Sequence, residues 1–433
     1  MQHFLSDLLW MVCLGISIPL FAIGLFSAYW TTYAWHSPQN YEETKFVHTR
    51  DTSRFSFSVI IPARDENYRV LSATVGCLIA QTHPRVQAVM AIGYDDPDTL
   101  AVARQLIAED HTGRLTLAVS HSDVHNKPTQ LNAALKVCTG EVVGILDAES
   151  LSAPDLLTQV DAAFQGGATV VQGGVIMTNY RDSWVALRSC LEYYTHHRSK
   201  MHYSSANGAI LMGGNTVFFK RALLEQLGGW DENNLAEDAE ISLRLLAMGE
   251  QVTVAYDAHL VSKEEAPTSL WRWTKQRTRW NLGFLQTIKS GYWKTLPTRK
   301  QRRLALWHLL QPSIMSFTGI VLPISILTYF FSNPPLPIAL LTWIPAIPTL
   351  FIVVIEGCML YHYTHEHTTN TARIRDYLKL IITTPVYQLM LAVGALRADW
   401  KYLRRDFGWE KTEHSGQHLA AADVPALTDK ASA

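Results

Sequence analysis

Charge is what this sequence has least of. Only 17% of its 433 residues are Asp, Glu, Lys or Arg, against about 25% in an ordinary soluble domain. Neither sign is in excess: 37 basic residues face 38 acidic ones, so the basic surface of a nucleic-acid binder is missing. No two cysteines form a CxxC pair; Cys13, Cys77, Cys138, Cys190 and Cys358 stand apart in apolar stretches. That argues against a disulfide framework or a zinc site and for reduced, buried thiols in a cytosol-facing or membrane protein. The opening MQHFLSD has no Lys or Arg, so the apolar run behind it lacks the basic start of a cleaved signal peptide. Hydrophobic residues, by contrast, make up 48% of the chain, which excludes disorder as a description of the whole. Few charges and many apolar residues in one long chain predict two unlike parts, one soluble and one in a membrane.

The first membrane candidate is residues 8–33, which carry no charge and are long enough to cross about 30 Å of hydrocarbon as a helix. Basic residues begin afterwards, at Lys45, Arg50 and Arg54. This places the N-terminus outside and the following chain in the cytoplasm. Apolar runs return at 306–331, 338–361 and 378–396, the last carrying Pro385. Three C-terminal crossings would leave the tail outside, yet Arg397, Lys401, Arg404, Arg405 and Lys411 want it in the cytoplasm. The third run is therefore expected to be re-entrant or interfacial, bent at Pro385. Glu356, in the second run, is an intramembrane acid that reads more simply as reaching the headgroups than as a functional group. His362, His365 and His367 read as a solvated interfacial loop rather than a metal site.

Between residues 53 and 291 the pattern changes. Strand-like runs FSFSVIIPA, VQAVMAIGY, LTLAVS and EVVGILDA are spaced by helices expected at 67–80, 98–108 and 128–137. Such alternation predicts a mostly parallel mixed α/β sheet with helices on both faces, which binds ligands at the carboxyl ends of its strands. The chain accordingly divides into an N-terminal span (1–34), a cytoplasmic catalytic domain (53–291), interface helices with a C-terminal membrane cluster (292–398), a short interfacial segment (399–416) and a disordered tail (417–433).

The chemistry-bearing residues fall at those strand ends. Tyr94-Asp95-Asp96-Pro97-Asp98 follows the second run, Lys127 the third, and Asp147-Ala148-Glu149 the fourth. Asp147 and Glu149 are two apart, so on an extended backbone they point the same way and can hold a divalent cation through oxygen. Lys127 at a helix start suits a phosphate. Singly each is weak, since surface carboxylates are usually just solvated; their order at successive strand ends is what points to a nucleotide diphosphate. Gly213-Gly214-Asn215-Thr216 precedes VFF, and Glu237-Asp238 opens a helix, where acids also serve simply to favour the helix dipole. Gln276, Arg279 and Trp280 lie at i, i+3 and i+4 of a helix expected at 268–289 and share a face.

In this order the residues resemble membrane-bound family-2 inverting glycosyltransferases, the cellulose, hyaluronan, chitin-oligosaccharide and poly-N-acetylglucosamine synthases. The matching elements are Asp95/Asp98, Lys127 with LNAAL, the DxD-type Asp147-Ala-Glu149, GGNTVFF, the Glu237-Asp238 pair and QRTRW as QxxRW. They cover residues 55–291 together with the flanking membrane layout.

The resemblance implies a GT-A fold, a nucleotide-sugar donor, in the first place a UDP-sugar, and Mg²⁺ or Mn²⁺. It implies that Asp95 and Asp98 hold the uridine, Lys127 faces the pyrophosphate, and Asp147 and Glu149 hold the metal. Asp238, paired with Glu237, becomes the general base. Gly214, Asn215, Gln276, Arg279 and Trp280 serve the acceptor and the leaving diphosphate. Two departures stand out: Glu149 replaces a common Asp, and the compressed YDDPDT leaves Asp95 and Asp96 both open as the nucleotide residue. The C-terminal FGWEKTEHSG is similar to a gating loop, with Thr412 near the pyrophosphate beside Trp409 and His414. The implied activity is sugar transfer to a growing β-linked polysaccharide. The alternatives are a membrane lipid acceptor or a catalytically dead sugar-binding scaffold. The implied location is the cell membrane, multi-pass, with an oligomer or export partner completing any pore.

Overall fold

Strands β1 (Phe57–Ala63), β2 (Val86–Gly93), β3 (Leu115–Ser120) and β4 (Val142–Ile145) form from runs in which β-branched and other apolar residues occupy both sides, as a strand covered on two faces requires. The computed structural model describes residues 2–45, 53–332, 335–408 and 419. With β5 (Val170–Gly173), β6 (Val175–Met177), β7 (Val217–Lys220), β8 (Val252–Ala255) and β9 (Ser262–Glu264), the strands make two sheets. The large one has the order β3-β2-β1-β4-β7-β5-β8. All its neighbours are parallel except β7, which runs against β4 and β5. A parallel pair, β6 and β9, stands beside it.

Side chains alternate across this sheet. Ile60, Val89 and Val143 enter one core with Leu131 and Ile241; Val59, Ile61, Met90 and Val142 enter the other with Leu71, Leu100 and Leu157. Local chemistry starts the helices between them. Asn67 caps Tyr68–Ile79, Asp96 caps Pro97–Glu109 and Asn126 caps Lys127–Leu135, each accepting a backbone N–H three residues on, the usual use of these side chains. Lys127 is thereby fixed as the first residue of its helix.

Among the described residues four helices are long and apolar enough to cross a membrane: Trp10–His36, Arg299–Val321, Leu336–His367 and Ile374–Leu403. The first and third run the same way, with Gly24 tight against Pro348 and Trp35 against His362. Cys358, expected to be buried, is exposed on the third helix, and all five cysteines are free. The three histidines lie in the last turns of the helix Ala346–His367 rather than in a loop. His365 stacks on Tyr361 and His367 meets Tyr194.

The last apolar run differs from expectation. Ile374–Leu403 is one continuous 30-residue helix that passes through Pro385 without a re-entrant bend. Proline removes an intrahelical donor and crowds the preceding turn, yet the helix continues through it, and the turn before it is tied to the helix Trp184–Thr195. Arg188, on the helix Trp184–Thr195, donates to the Leu380 carbonyl and to Thr384 Oγ1 (2.5 Å), and its Nη1 donates to Glu356 Oε2 at 2.6 Å. One helical face follows the α/β part of the chain: Tyr387 donates to Glu192 (2.6 Å), Thr278 Oγ1 reaches the Gly394 carbonyl (3.3 Å), and Ala398 packs with Leu282. The other face exposes Ile374, Leu378, Ile382, Leu389, Leu396 and Leu403.

Glu356 is thus a partner of Arg188 and not a headgroup-reaching acid. Because the arginine side chain is 1% exposed, Arg188→Leu strands Glu356 and should cost about 3–5 kcal/mol. Thermal unfolding in detergent should show that loss, and Arg188→Leu/Glu356→Leu should recover most of it. An unchanged midpoint in the single variant would dismiss the pair as structural.

Candidate active site

The carboxyl end of β1 supplies Arg64, whose Nη2 donates to Asp95 Oδ2 at 2.7 Å; His125 Nδ1 lies 3.2 Å from the other oxygen. The Arg64 hydrogen bond is the main cause holding the Asp95 carboxyl below its usual range. Asp96 is spent on structure. It accepts the N–H of Thr99 (3.1 Å) and of Asp65 (2.6 Å), and Asp65 itself takes φ 50°. Of the two candidates, Asp95 therefore lies at the open edge with Arg64 and His125. Asp98 is exposed in the first helical turn, and among the described residues no hydrogen bond or ion pair brings it to this group.

Lys127 Nζ donates to Asp147 Oδ1 at 2.5 Å and to the Gly214 carbonyl at 2.8 Å. Burial would lower its pKa, but Asp147, Glu237 and Asp238 outweigh that and raise it. A side chain on Gly214 would meet Asp238 Oδ2 at 3.2 Å, Lys127 Nζ at 3.3 Å and Glu237 Oε1 at 3.5 Å. The glycine lets a strand end, a helix start and an acidic pair converge on one point. Burial, with Asp238's charge next, pushes the Glu237 carboxyl up to about 7, against the lowering effect of Lys127. Burial raises Asp238 too, while the N–H of Ala239, donated to its carboxylate at 2.8 Å, pulls it back. That bond favours Asp238 as the member that ionises.

The QRTRW segment lies in the helix Leu270–Ser290. Arg279 is near enough for its charge to lower both acids of the pair. Buried Gln276 Oε1 and Arg279 Nε have no hydrogen-bond partner among the described residues, so both offer polar atoms to something further. Trp280 lies 6.2 Å from the Tyr193 ring, centroid to centroid. The Arg277 guanidinium sits 4.4 Å from the Trp280 ring centre and donates to Glu192 at 2.6 Å.

Asn215 is less an open contact than a structural hub. It donates to Ser150 Oγ (2.8 Å) and to Glu264, and accepts the N–H of Asp147 (3.2 Å), so it orients the DxD turn. Glu264, Ser150, Tyr193, Arg277 and Glu192 were not singled out from the sequence. A signal existed for Arg277, inside QRTRW, and for Glu264, the first of two adjacent acids, at the end of β9.

Among the described residues no three His, Cys, Asp or Glu side chains converge as a metal cage. Asp147 is one-third exposed and Glu149 is buried two residues on. Hard oxygen donors of this kind suit Mg²⁺ or Mn²⁺ when substrate phosphates complete the shell. Thr412, Trp409 and His414 lie outside the described residues.

The family described as "Glycosyltransferase like family 2" matches residues 54–283. A probable glucomannan 4-beta-mannosyltransferase of Oryza sativa is 22% identical over 80% of this chain and 61% of its own length, so the chain spans less than two thirds of that relative. The probable glycosyltransferase YdaM of Bacillus subtilis is 20% identical over 83% and 87%. A beta-monoglucosyldiacylglycerol synthase of Trichormus variabilis is 23% identical over 83% and 76%. Among solved structures, a mannosyltransferase of Pyrobaculum calidifontis in complex with GDP-Man and Mn²⁺ aligns with a TM-score of 0.60 at 21% identity, over 90% of this chain and 99% of the other. That likeness is one of fold.

Proposed function

The chain belongs to glycosyltransferase family 2, and from that premise we propose that it is a membrane enzyme transferring a sugar from a UDP-sugar, with inversion, to an acceptor at the membrane. The observation that carries this reading is the convergence at Gly214 of Lys127, Asp238 and Glu237, with Asp147 held on Lys127. A sugar hydroxyl attacks once a positioned carboxylate takes its proton, and Asp238 is that base. Asp95 with Arg64 receives the nucleoside; Lys127 faces the diphosphate. Asp147 and Glu149 would hold Mg²⁺ or Mn²⁺, which when bound neutralises the leaving diphosphate. Gln276 and Arg279 turn their unmatched polar atoms to the acceptor and the departing phosphates, and Trp280 provides a stacking wall for a sugar ring. One base without a covalent nucleophile gives a single displacement, so an α-linked donor yields a β-linked product.

The acceptor implied by the motif order is a growing β-linked polysaccharide. A membrane lipid is the second reading, favoured by an apolar groove of about 360 Å³ between the first two spans.

The helix Ile374–Leu403, with one face on the catalytic domain and an apolar stripe outward, is proposed to lie in the interface. Three crossings then put the N-terminus outside and both the site and the basic tail in the cytoplasm, in agreement with the charge bias. Inside-out membrane vesicles test both points. Radiolabelled nucleotide sugars added outside should give labelled product with Mg²⁺ or Mn²⁺ and none with EDTA, and added protease should cut a tag on the tail. No product from any donor would sink the enzymatic reading; a protected tag would sink the topology.

A further inference from the structure

The helix carrying Arg188 and Glu192 passes through a π-helical turn, His196–Lys200, a geometry that recurs at functional sites. The turn brings Lys200 beneath the first membrane helix. Its ammonium lies 5.1 Å from the Trp30 ring centre, and the Trp30 indole N–H donates to the Lys200 carbonyl at 3.0 Å. His308, on the helix Arg299–Ser332, closes on the other side of Trp30 with ring centroids 4.8 Å apart and meets Ser204 Oγ at 3.1 Å.

The charges around Lys200 do not cancel. The acids within its reach are Glu192 and Glu356. Each is already engaged by an arginine at 2.6 Å, Glu192 by Arg277 and Glu356 by Arg188. No hydrogen bond or ion pair joins the Lys200 ammonium to any described residue. Lys200 is left without a counter-ion of its own at the base of the membrane helices, and burial lowers its pKa against the pull of the two acids, as expected where an uncompensated ion is costly.

Further along the same two helices, past the Phe26–Trp307 ring pair (5.2 Å between centroids), runs the apolar groove, lined by Ile16, Leu20, Ile23, Leu310, Ile314 and Phe317 among others. In the opposite direction Tyr193, six residues before Ser199 on the same chain segment, reaches Trp280 of the catalytic helix. A cation, an apolar slot on one side and the acceptor wall on the other describe the outline of an amphiphile.

Building on the glycosyltransferase reading, we propose that Lys200 and this groove form a binding site for an anionic acceptor lipid. The lipid phosphate sits at Lys200, its tail lies between helices Gln2–His36 and Arg299–Ser332, and its hydroxylated head extends past Tyr193 to Trp280. Phosphate is the fitting anion because a lone ammonium at the foot of the first span recognises it as a point charge, without the planar fork of an arginine.

The test uses the full chain in neutral-lipid nanodiscs and a lysophosphatidylglycerol carrying a photoreactive diazirine on its acyl chain. Labelling should map to the groove and be displaced by unlabelled lysophosphatidylglycerol. Lys200→Gln should cut labelling about tenfold, the size of one charge-assisted contact. Ile314→Trp, which fills the slot and leaves the lysine, should cut it as well, and an unaltered unfolding midpoint shows that each variant is folded. Equal displacement by monooleoylglycerol would overturn the role of the phosphate. Equal displacement by glycerol phosphate would overturn the lipid, leaving a site for free phosphate. Undiminished labelling in both variants would overturn the site. Donor hydrolysis by the unaltered protein in the same discs is scored apart: its absence removes the glycosyltransferase reading without touching the labelling result.

Discussion

Asp238→Asn is expected to lower the turnover number by about 10²–10⁴-fold, the range for loss of a positioned general base, and at the same time to raise the unfolding temperature at pH 7. The two effects share a cause. Burial raises the Asp238 pKa, and burial with Asp238's charge raises that of Glu237. A carboxyl whose folded pKa exceeds its unfolded value stabilises the fold below the unfolded pKa, and that stability is lost as pH rises through the folded one. For Glu237 the window runs from its ordinary range to about 7, so at neutral pH the acidic pair is a standing cost. An amide at 238 removes the repulsion. What it loses is the charge at a helix N-terminus, about 0.3–1 kcal/mol, the smaller term because the net shift of Asp238 is upward. Glu237→Gln should stabilise likewise but leave more activity, since Ala239 donates to Asp238 and not to Glu237. Turnover and melting curves on the same preparations check this. A variant as active as its parent would remove Asp238 from the base role, and one less stable at pH 7 would contradict the electrostatic account.

The architecture was open to sequence reasoning where one physical signal dominated. Runs such as VIIPA and AVMAI are apolar on both faces and have few options besides a buried parallel strand, and the Asn and Asp caps sit where the helices begin. The candidate site was legible as an ordered set of polar residues at strand ends, because that order survives without coordinates. Contacts between distant segments were not. Nothing local in Arg188 says that it is 168 positions from its acid, Glu356, or that it bonds Leu380 and Thr384 of the last helix. A proline in an isolated helix favours a bend, whereas Ile374–Leu403 continues through Pro385 as one helix. Asn215 was read as facing the acceptor, whereas Ser150 and Glu264 occupy its amide. Asp95 and Asp96 are equivalent as letters; only the cap geometry separates them.

Replacing Lys127 by Met should raise the KM for the donor at least about thirtyfold, the lower end of the roughly 2–5 kcal/mol lost when one member of a buried, hydrogen-bonded charge pair is removed. It should also move the acid limb of the rate profile to higher pH. The direction follows from the neighbours: Lys127 lowers the pKa of both Glu237 and Asp238, so without it both rise further and the base is protonated over a wider range. The deficit relative to the parent is then largest at low pH and shrinks as pH increases. Lys127→Arg separates charge from shape. It keeps the positive charge, so the acid limb should stay near its place, but the longer planar group cannot repeat the contacts to Asp147 at 2.5 Å and the Gly214 carbonyl at 2.8 Å, so the donor KM should still rise. A limb that stays fixed in Lys127→Met would mean that the group titrating in the rate profile is neither acid of the pair, and the base would have to be sought among carboxylates that Lys127 does not face.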